Sequence, residues 1–244
     1  MLKRIFDFTV AIILIFLFSP LIVIVSFLIW RQDGYSPFYI APRVGKGEKI
    51  FKMIKFRSMI VNADKSGVDS TSVNDNRITK LGQFIRKFKI DEIPNFFNIV
   101  FGEMSFVGPR PNVERETKMY TNVEKQLLDV KPGITDFSSI IFSDEGSILE
   151  NSEDPDLDYN QLIRPWKSRL GVLYVKKRTL AIDIKLMLWT ALAIFSQERS
   201  SKYIVNQLTR LKADKKLIDI CKRNKKLEPY PPPGTDKIVE NRNL

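Results

Sequence analysis

The sequence predicts a mainly α-helical fold with one small β-hairpin, preceded by a helix that enters a membrane. Three observations carry this. Residues 8–30 are almost wholly apolar. Residues 38–59 place two strand-like arms about a Gly45-Lys46-Gly47 turn. From residue 77 onward, apolar residues recur at helical spacing between glycine and proline breaks. The 244-residue length suits one catalytic-size domain plus appendages, and 44% hydrophobic residues suffice for a sizeable core. A formal charge of +11 calls for anionic partners: phosphates, nucleic acid or an anionic membrane face. The chain has no histidine, which removes Ser-His-Asp and Cys-His catalysis and His-ligated zinc. Cys221 is the single cysteine, so an intrachain disulfide cannot form. Any catalysis must rest on carboxylates, Lys, Arg, Tyr or hydroxyls, with a hard metal such as Mg²⁺.

As an unbroken helix, residues 8–30 would reach about 34 Å, enough to span a bilayer core. Two features resist simple spanning. Ser19-Pro20 falls at the midpoint, where proline removes a backbone hydrogen bond. Positive charge also flanks both ends, with Lys3 and Arg4 before and Arg31, Arg43, Lys46 and Lys49 after, which holds both ends on the cytoplasmic side. A helix-break-helix that dips into one leaflet and returns satisfies both. The carbonyl freed by Pro20 then needs a donor, which the Ser19 hydroxyl or a packed neighbour can supply. These residues alone leave spanning and re-entrant insertion open.

The second hairpin arm carries Lys49, Lys52, Lys55 and Arg57, as a phosphate or headgroup surface or as a lysine-guarded strand edge. Residues 61–76 read as a polar surface loop. Residues 77–89 read as a basic amphipathic helix with Ile78, Leu81, Phe84, Ile85 and Phe88 on one face. Then come Asp91 and Glu92, adjacent carboxylates where a basic run (Arg77, Lys80, Arg86, Lys87, Lys89) meets an apolar helix over 96–101. Asp91 is placed as that helix's N-cap, with Pro94 in the first turn. There it faces the positive helix end and nearby cations, and stays ionised. An ionised carboxylate beside a phosphate site can hold a divalent metal or attack phosphorus; it can equally be a plain cap. The helix ends at Gly102. Gly108-Pro109-Arg110-Pro111 then forms a rigid turn that aims one arginine.

Residues 113–130 read as a helix, 143–158 as an acidic solvated loop, and 161–177 as a helix broken near Gly171. Residues 179–195, with Trp189, suit a helix lying in the membrane interface or in the core. Residues 200–226 read as a lysine-rich helix, and 228–244, with three prolines, as an extended or disordered tail. The expected division is 1–31 for the membrane helix, 32–199 for the catalytic domain and 200–244 for the basic helix and tail.

Seven motifs fall in one order: Lys3-Arg4-Ile5-Phe6-Asp7, Ser19-Pro20, Lys55-Phe56-Arg57-Ser58-Met59, Arg77-Ile78-Thr79-Lys80-Leu81-Gly82, Asp91-Glu92-Ile93-Pro94-Asn95, residues 102–111 and Lys131-Pro132-Gly133-Ile134-Thr135. Over about residues 1–195 the chain resembles the monotopic polyprenyl-phosphate glycosyl-1-phosphate transferases of bacteria. The resemblance implies a re-entrant helix broken at Ser19-Pro20 and a catalytic domain on the cytosolic face of the bacterial inner membrane. It implies transfer of a sugar-1-phosphate from a UDP-sugar to polyprenyl (undecaprenyl) phosphate, releasing UMP, as the first membrane step of glycan assembly. Asp91 would be the nucleophile of a covalent phosphosugar intermediate and would hold Mg²⁺ (or Mn²⁺), with Glu92 assisting. Lys55, Arg57, Arg86 and Arg110 would bind substrate phosphate. Expected partners are the UDP-sugar, the polyprenyl phosphate and membrane lipids, with room for a homodimer. Nucleic acid is not expected, because no helix-turn-helix, RNA-recognition or zinc pattern is present.

The chain departs from the family pattern in three places. Phe88-Lys89-Ile90 precedes the dyad where Thr-Ser-Leu is usual, and Asn95 follows Pro94 where Gln is common. Asp136-Phe137-Ser138-Ser139-Ile140 replaces the usual continuation after Thr135, a region expected to shape sugar recognition. The alternative function is a non-catalytic, membrane-tethered binding or scaffold protein with a basic surface.

Overall fold

The computed structural model describes residues 1–63 and 75–241; most of the polar loop expected over 61–76 lies outside them. The first helix, α1 (Leu2–Asp33), is 32 residues long, about 48 Å at 1.5 Å per residue. Pro20 lies inside this one helix, which corrects the expected break into two helices at Ser19-Pro20. The reason is local. Pro20 cannot donate to the Phe16 carbonyl, and the Ser19 hydroxyl donates to it instead at 2.8 Å. A left-handed Gly34 (φ 75°) ends α1, its N–H returning to the Trp30 carbonyl.

Strands β1 (Phe38–Val44) and β2 (Ile50–Phe56) pair antiparallel in the expected hairpin, with Tyr39 opposite Lys55. Helix α2 (Lys80–Lys87) is capped by Thr79 and is shorter than the span expected over 77–89. Its apolar face divides: Ile85 is buried, whereas Phe84 and Phe88 are exposed. A 3₁₀ turn (Ile90–Glu92) leads to α3 (Asn95–Phe101), which ends at a left-handed Gly102 as expected.

Strand β3 (Ser105–Val107) then pairs in parallel with β4 (Gly133–Thr135), a contact between two three-residue strands that no local pattern signalled. Between them the helix expected over 113–130 is instead α4 (Glu114–Lys118) and a separate 3₁₀ segment (Glu124–Asp129). Helix α5 (Phe137–Ile141) opens with an Asp136–Ser139 capping box. The acidic stretch is not all solvated loop. It forms α6 (Glu145–Ile148) and α7 (Pro155–Asp158), with Leu149 and Asp156 buried. A π-helical turn (Tyr159–Ile163) feeds α8 (Arg164–Lys177), which runs unbroken through Gly171. Gly171 does not interrupt the helix; it makes room for the Leu127 side chain, which would lie 2.6 Å from an added Cβ.

Helix α9 (Leu180–Phe195) matches expectation. It buries Ile182 and Leu186 and exposes Leu188 and Phe195, so it serves both core and surface. Helices α10 (Gln197–Arg210) and α11 (Lys215–Cys221) replace the single lysine-rich helix. Ile204, Leu208, Leu217 and Cys221 join Phe106, Phe137, Leu170 and Tyr174 in the main core. The following segment is extended and packed. Tyr230 stacks on Trp166 at 4.5 Å, Arg169 donates to the Pro231 carbonyl, and Thr121 donates to the Pro233 carbonyl.

Candidate active site

Four segments converge on the two carboxylates. The first is β2, which carries Lys55. In a two-stranded hairpin the outer edge of β2 has no strand partner, and the amide of buried Asn98 on α3 takes that place. Its Oδ1 accepts from Ile54 N at 3.0 Å, and its Nδ2 donates to the Lys52 carbonyl at 2.7 Å and to Glu103 at 2.6 Å. Lys55 is thereby fixed against the helix that follows the dyad.

The second segment is the dyad's own turn. Asp91 and Glu92 lie within the 3₁₀ turn, and α3 begins four residues after Asp91, with Pro94 at its N-cap. Asp91 is therefore not a helix N-cap, correcting the sequence expectation. Lys89, just before the turn, is left-handed at φ 55°, a conformation that costs a non-glycine residue about 1–2 kcal/mol. It reverses the chain sharply enough to set two neighbouring carboxylates at one site.

Arg110 arrives from the third segment. Gly108 N–H donates to the Thr135 carbonyl, and Gly133 N–H donates to the Pro109 carbonyl, both at 3.0 Å. The backbones touch so closely that a Cβ on Gly133 would lie 2.1 Å from Gly108 N, so a side chain there would push the Arg110 turn off β4. The fourth segment is α2, which brings Arg86. A Cβ on Gly82 would fall 1.9 Å from the Ser58 carbonyl oxygen, so only glycine lets α2 pack this tightly against the chain leaving β2.

The two carboxylates differ in surroundings. Glu92 is buried, with Lys55 Nζ and Arg110 Nη2 each 2.8 Å from its Oε1. Arg110, Lys55 and Lys89 hold it far below the ordinary carboxylate range despite its burial. Asp91 is partly exposed and forms no hydrogen bond or ion pair among the described residues. Desolvation raises its pKa, and the Glu92 charge raises it further, against the pull of Lys55, Arg86 and Arg110. The easily ionised carboxylate is therefore Glu92 and not Asp91, the reverse of what a cap position predicts. Glu92 is the fixed anion, and Asp91 is the carboxylate left free. Burial lowers the pKa of Lys55 and of Lys89. Four cations (Lys55, Arg86, Lys89, Arg110) act on two carboxylates, a surplus that suits a phosphate-bearing ligand.

Arg57 is not brought to this group. Its guanidinium makes a bidentate pair with Asp33, both contacts at 2.6 Å, and its Nε donates to the Ser36 carbonyl. It fastens the end of α1 to the hairpin. Lys89, read from the sequence only as part of the basic run, Asn98 and Glu103 also belong to the site's frame, and the last two were missed. An Asn inside the otherwise apolar 96–101 run was the signal that could have found Asn98.

Among the described residues no group of three or more Asp, Glu, Cys or His could hold a metal. Mg²⁺, however, is often held by one or two carboxylates together with substrate phosphates and water. Unpaired Asp91 fits that use, whereas Glu92, engaged by two cations, does not.

The chain thus combines an N-terminal helix long and apolar enough to cross a membrane, a basic hairpin and a carboxylate pair held among cations. The profile of the bacterial sugar transferase family matches residues 1–197, and the chain belongs to that family. It is 41% identical over 149 residues to a UDP-galactose-lipid carrier transferase of Erwinia amylovora, covering 55% of this chain and 31% of that protein. It is 37% identical over 147 residues to a UDP-N-acetylgalactosamine-undecaprenyl-phosphate N-acetylgalactosaminephosphotransferase of Aeromonas hydrophila, covering 57% of this chain and 34% of that protein. The exopolysaccharide production protein ExoY of Sinorhizobium fredii is 37% identical over 148 residues, 54% of this chain and 66% of that protein. The chain thus spans about a third of the first two relatives.

Proposed function

We propose that the chain transfers a sugar-1-phosphate from a UDP-sugar to undecaprenyl phosphate and releases UMP. The observation that carries this is the division of labour in the dyad: one carboxylate fixed by Lys55 and Arg110, its neighbour unpaired and partly exposed. The family and the substrates named for its relatives supply the reaction class. An Asp91 oxygen attacks the sugar-bearing phosphorus. The diphosphate bond breaks, and its electron pair leaves with UMP. An acyl phosphate now joins Asp91 to the sugar phosphate. An oxygen of the lipid phosphate then attacks the same phosphorus, forming the lipid diphosphate sugar and restoring the Asp91 carboxylate.

Attack by a carboxylate on an anionic diphosphate meets charge repulsion. Lys55, Lys89, Arg86 and Arg110 offset it, with Glu92 holding Lys55 and Arg110 in place. Mg²⁺ held at Asp91 would supply further neutralisation of the diphosphate. Because UMP leaves before the lipid arrives, the soluble and membrane-bound substrates need not meet.

Insertion of α1 into one leaflet from the cytosolic side of the inner membrane belongs to the same proposal. Both ends of α1 are fastened to the catalytic body. Lys3 pairs with Asp183 at 2.6 Å, and Arg4 donates to the Ile99 and Val100 carbonyls. At the other end Asp33 pairs with Arg57. Between them Phe16, Leu17, Val23 and Phe27 are exposed apolar side chains that lipid would cover.

The test is UMP release from a panel of UDP-sugars by detergent-purified protein with Mg²⁺ and undecaprenyl phosphate. Release from at least one sugar, abolished by chelation and by Asp91→Asn, is the expected result. No release from any of them would favour the binding or scaffold reading.

A further inference from the structure

Arg110 has a second neighbourhood. Besides meeting Glu92, it lines a shallow cleft open to solvent, with Tyr120, Ser138, Tyr159 and Lys167 among its walls. The two regions share their electric field: Glu145 acts on Arg110, and Lys167 acts on Lys89. We propose, resting on the transferase reading, that this cleft holds the sugar ring of the donor and that Tyr159 and the Lys167–Glu145 pair determine which sugar is accepted.

Three independent observations support this. First, the Tyr159 hydroxyl has no hydrogen-bond partner among the described residues, although its residue lines the cleft beside Lys167 and Ser138. A phenol in that state is ready to donate to, or accept from, a ligand hydroxyl. Second, Tyr159 opens the π-helical turn between α7 and α8. Such turns insert a residue into the helical ladder, re-aim the side chains around it and recur at functional sites. Here Asn160 and Arg164 keep their own structural roles, with Arg164 bonded to Asn160 and to buried Glu124. The turn can therefore present Tyr159 without disturbing that network.

Third, the charges select the part of the donor that fits. Lys167 is bonded to Glu145, so the pair is close to neutral and offers both a donor and an acceptor. A polyol or an N-acyl sugar matches that chemistry. The diphosphate suits the dyad side better, where Lys55, Arg86 and Lys89 join Arg110, because in the cleft wall Arg164 and Lys167 are each already paired with a glutamate. A nucleobase matches less well, since Lys167 already covers the Tyr159 ring at 5.3 Å. Arg110 thus stands between the phosphate and the sugar. Among the described residues Arg110 meets Glu92 through Nη2, and its remaining N–H groups can donate to a phosphate oxygen at the junction.

The experiment compares UDP-glucose, UDP-galactose, UDP-N-acetylglucosamine and UDP-N-acetylgalactosamine as donors for wild type, Tyr159→Phe and Glu145→Gln. UMP is included as a competing product. Loss of one hydrogen bond to the sugar raises KM for the preferred donor about tenfold. Selectivity over its epimer falls by a similar factor, kcat changes less, and inhibition by UMP is unchanged. Unaltered selectivity in both variants overturns the proposal, and so does UMP inhibition that weakens in step with KM. Titration calorimetry in the Asp91→Asn background reads the cleft without turnover. Donor bound equally with and without the Tyr159 hydroxyl rejects the cleft alone. No donor bound by either protein, together with no UMP release by the wild type, rejects the cleft and the transferase reading together.

Discussion

At the scale of single residues, the proposed chemistry uses two adjacent carboxylates with opposite protonation tendencies. Asp91 lies above its ordinary 3.8, pushed up by burial and by Glu92. A loading step that needs its carboxylate therefore rises with pH through an apparent pKa above that value, read in single-turnover UMP release. Lys55→Gln removes a cation that holds Asp91 down and moves this acid limb to higher pH. Glu92 has the opposite sign. Its depressed pKa means that its stabilising pairs are complete above the ordinary 4.5 and are lost only as pH falls through the lower folded value. Glu92→Ala leaves Lys55 and Arg110 without their anion, and thermal unfolding in detergent is expected to show a loss of about 2–3 kcal/mol, less than for a wholly buried pair because Arg110 is half exposed. That Asp91 and Glu92 lie among cations was legible from their place between a basic and an apolar run. Which of them is held ionised was not, because that depends on Lys55 and Arg110, 37 and 18 residues away in the chain from Glu92.

At the scale of elements, the site is held by side chains that imitate backbone. Asn98 acts as the missing strand beside β2. Asn98→Ala leaves the Ile54 N–H and the Lys52 carbonyl without their partner, and is expected to cost about 2–3 kcal/mol, with KM for the donor rising as Lys55 loosens. Differential scanning fluorimetry and UMP-release kinetics would read the two effects. Ser19 performs the corresponding service in α1, and Ser19→Ala is expected to destabilise the helix by about 1 kcal/mol in bilayer-like detergent. The hairpin was legible because a Gly-Lys-Gly turn and alternating residues are local signals. The β3–β4 pair was not, because each strand has three residues and their partnership is set by the close approach of Gly108 to Gly133. The 113–130 helix failed for a related reason. Packing against α8 and the buried Glu124–Arg164 pair replace helical continuity there.

At the scale of the whole molecule, one core unites the parts. Ala11 of α1 and Leu208 and Cys221 of the C-terminal helices belong to the same buried cluster as Phe106 and Leu170. Residues 228–241 are extended, one of the two states composition predicts, but they are packed: Tyr230 stacks on Trp166 and lies under Arg169 and Lys216. Ending the chain after residue 227 is expected to lower stability by about 2–3 kcal/mol, or roughly 5–10 °C in Tm. The fastening of both ends of α1 predicts that cysteines placed by Leu2→Cys and Tyr35→Cys label from the same side of sealed vesicles; labelling from opposite sides would refute leaflet insertion. The central claim is that Asp91 becomes covalently loaded, and intact-mass spectrometry tests it most directly. Wild type and Asp91→Asn are mixed with Mg²⁺ and a panel of UDP-sugars, with polyprenyl phosphate omitted. The predicted result is a sugar-phosphate mass added to wild type and absent from Asp91→Asn. An adduct on both proteins, or UMP release that needs lipid and passes through no adduct on either, would contradict it.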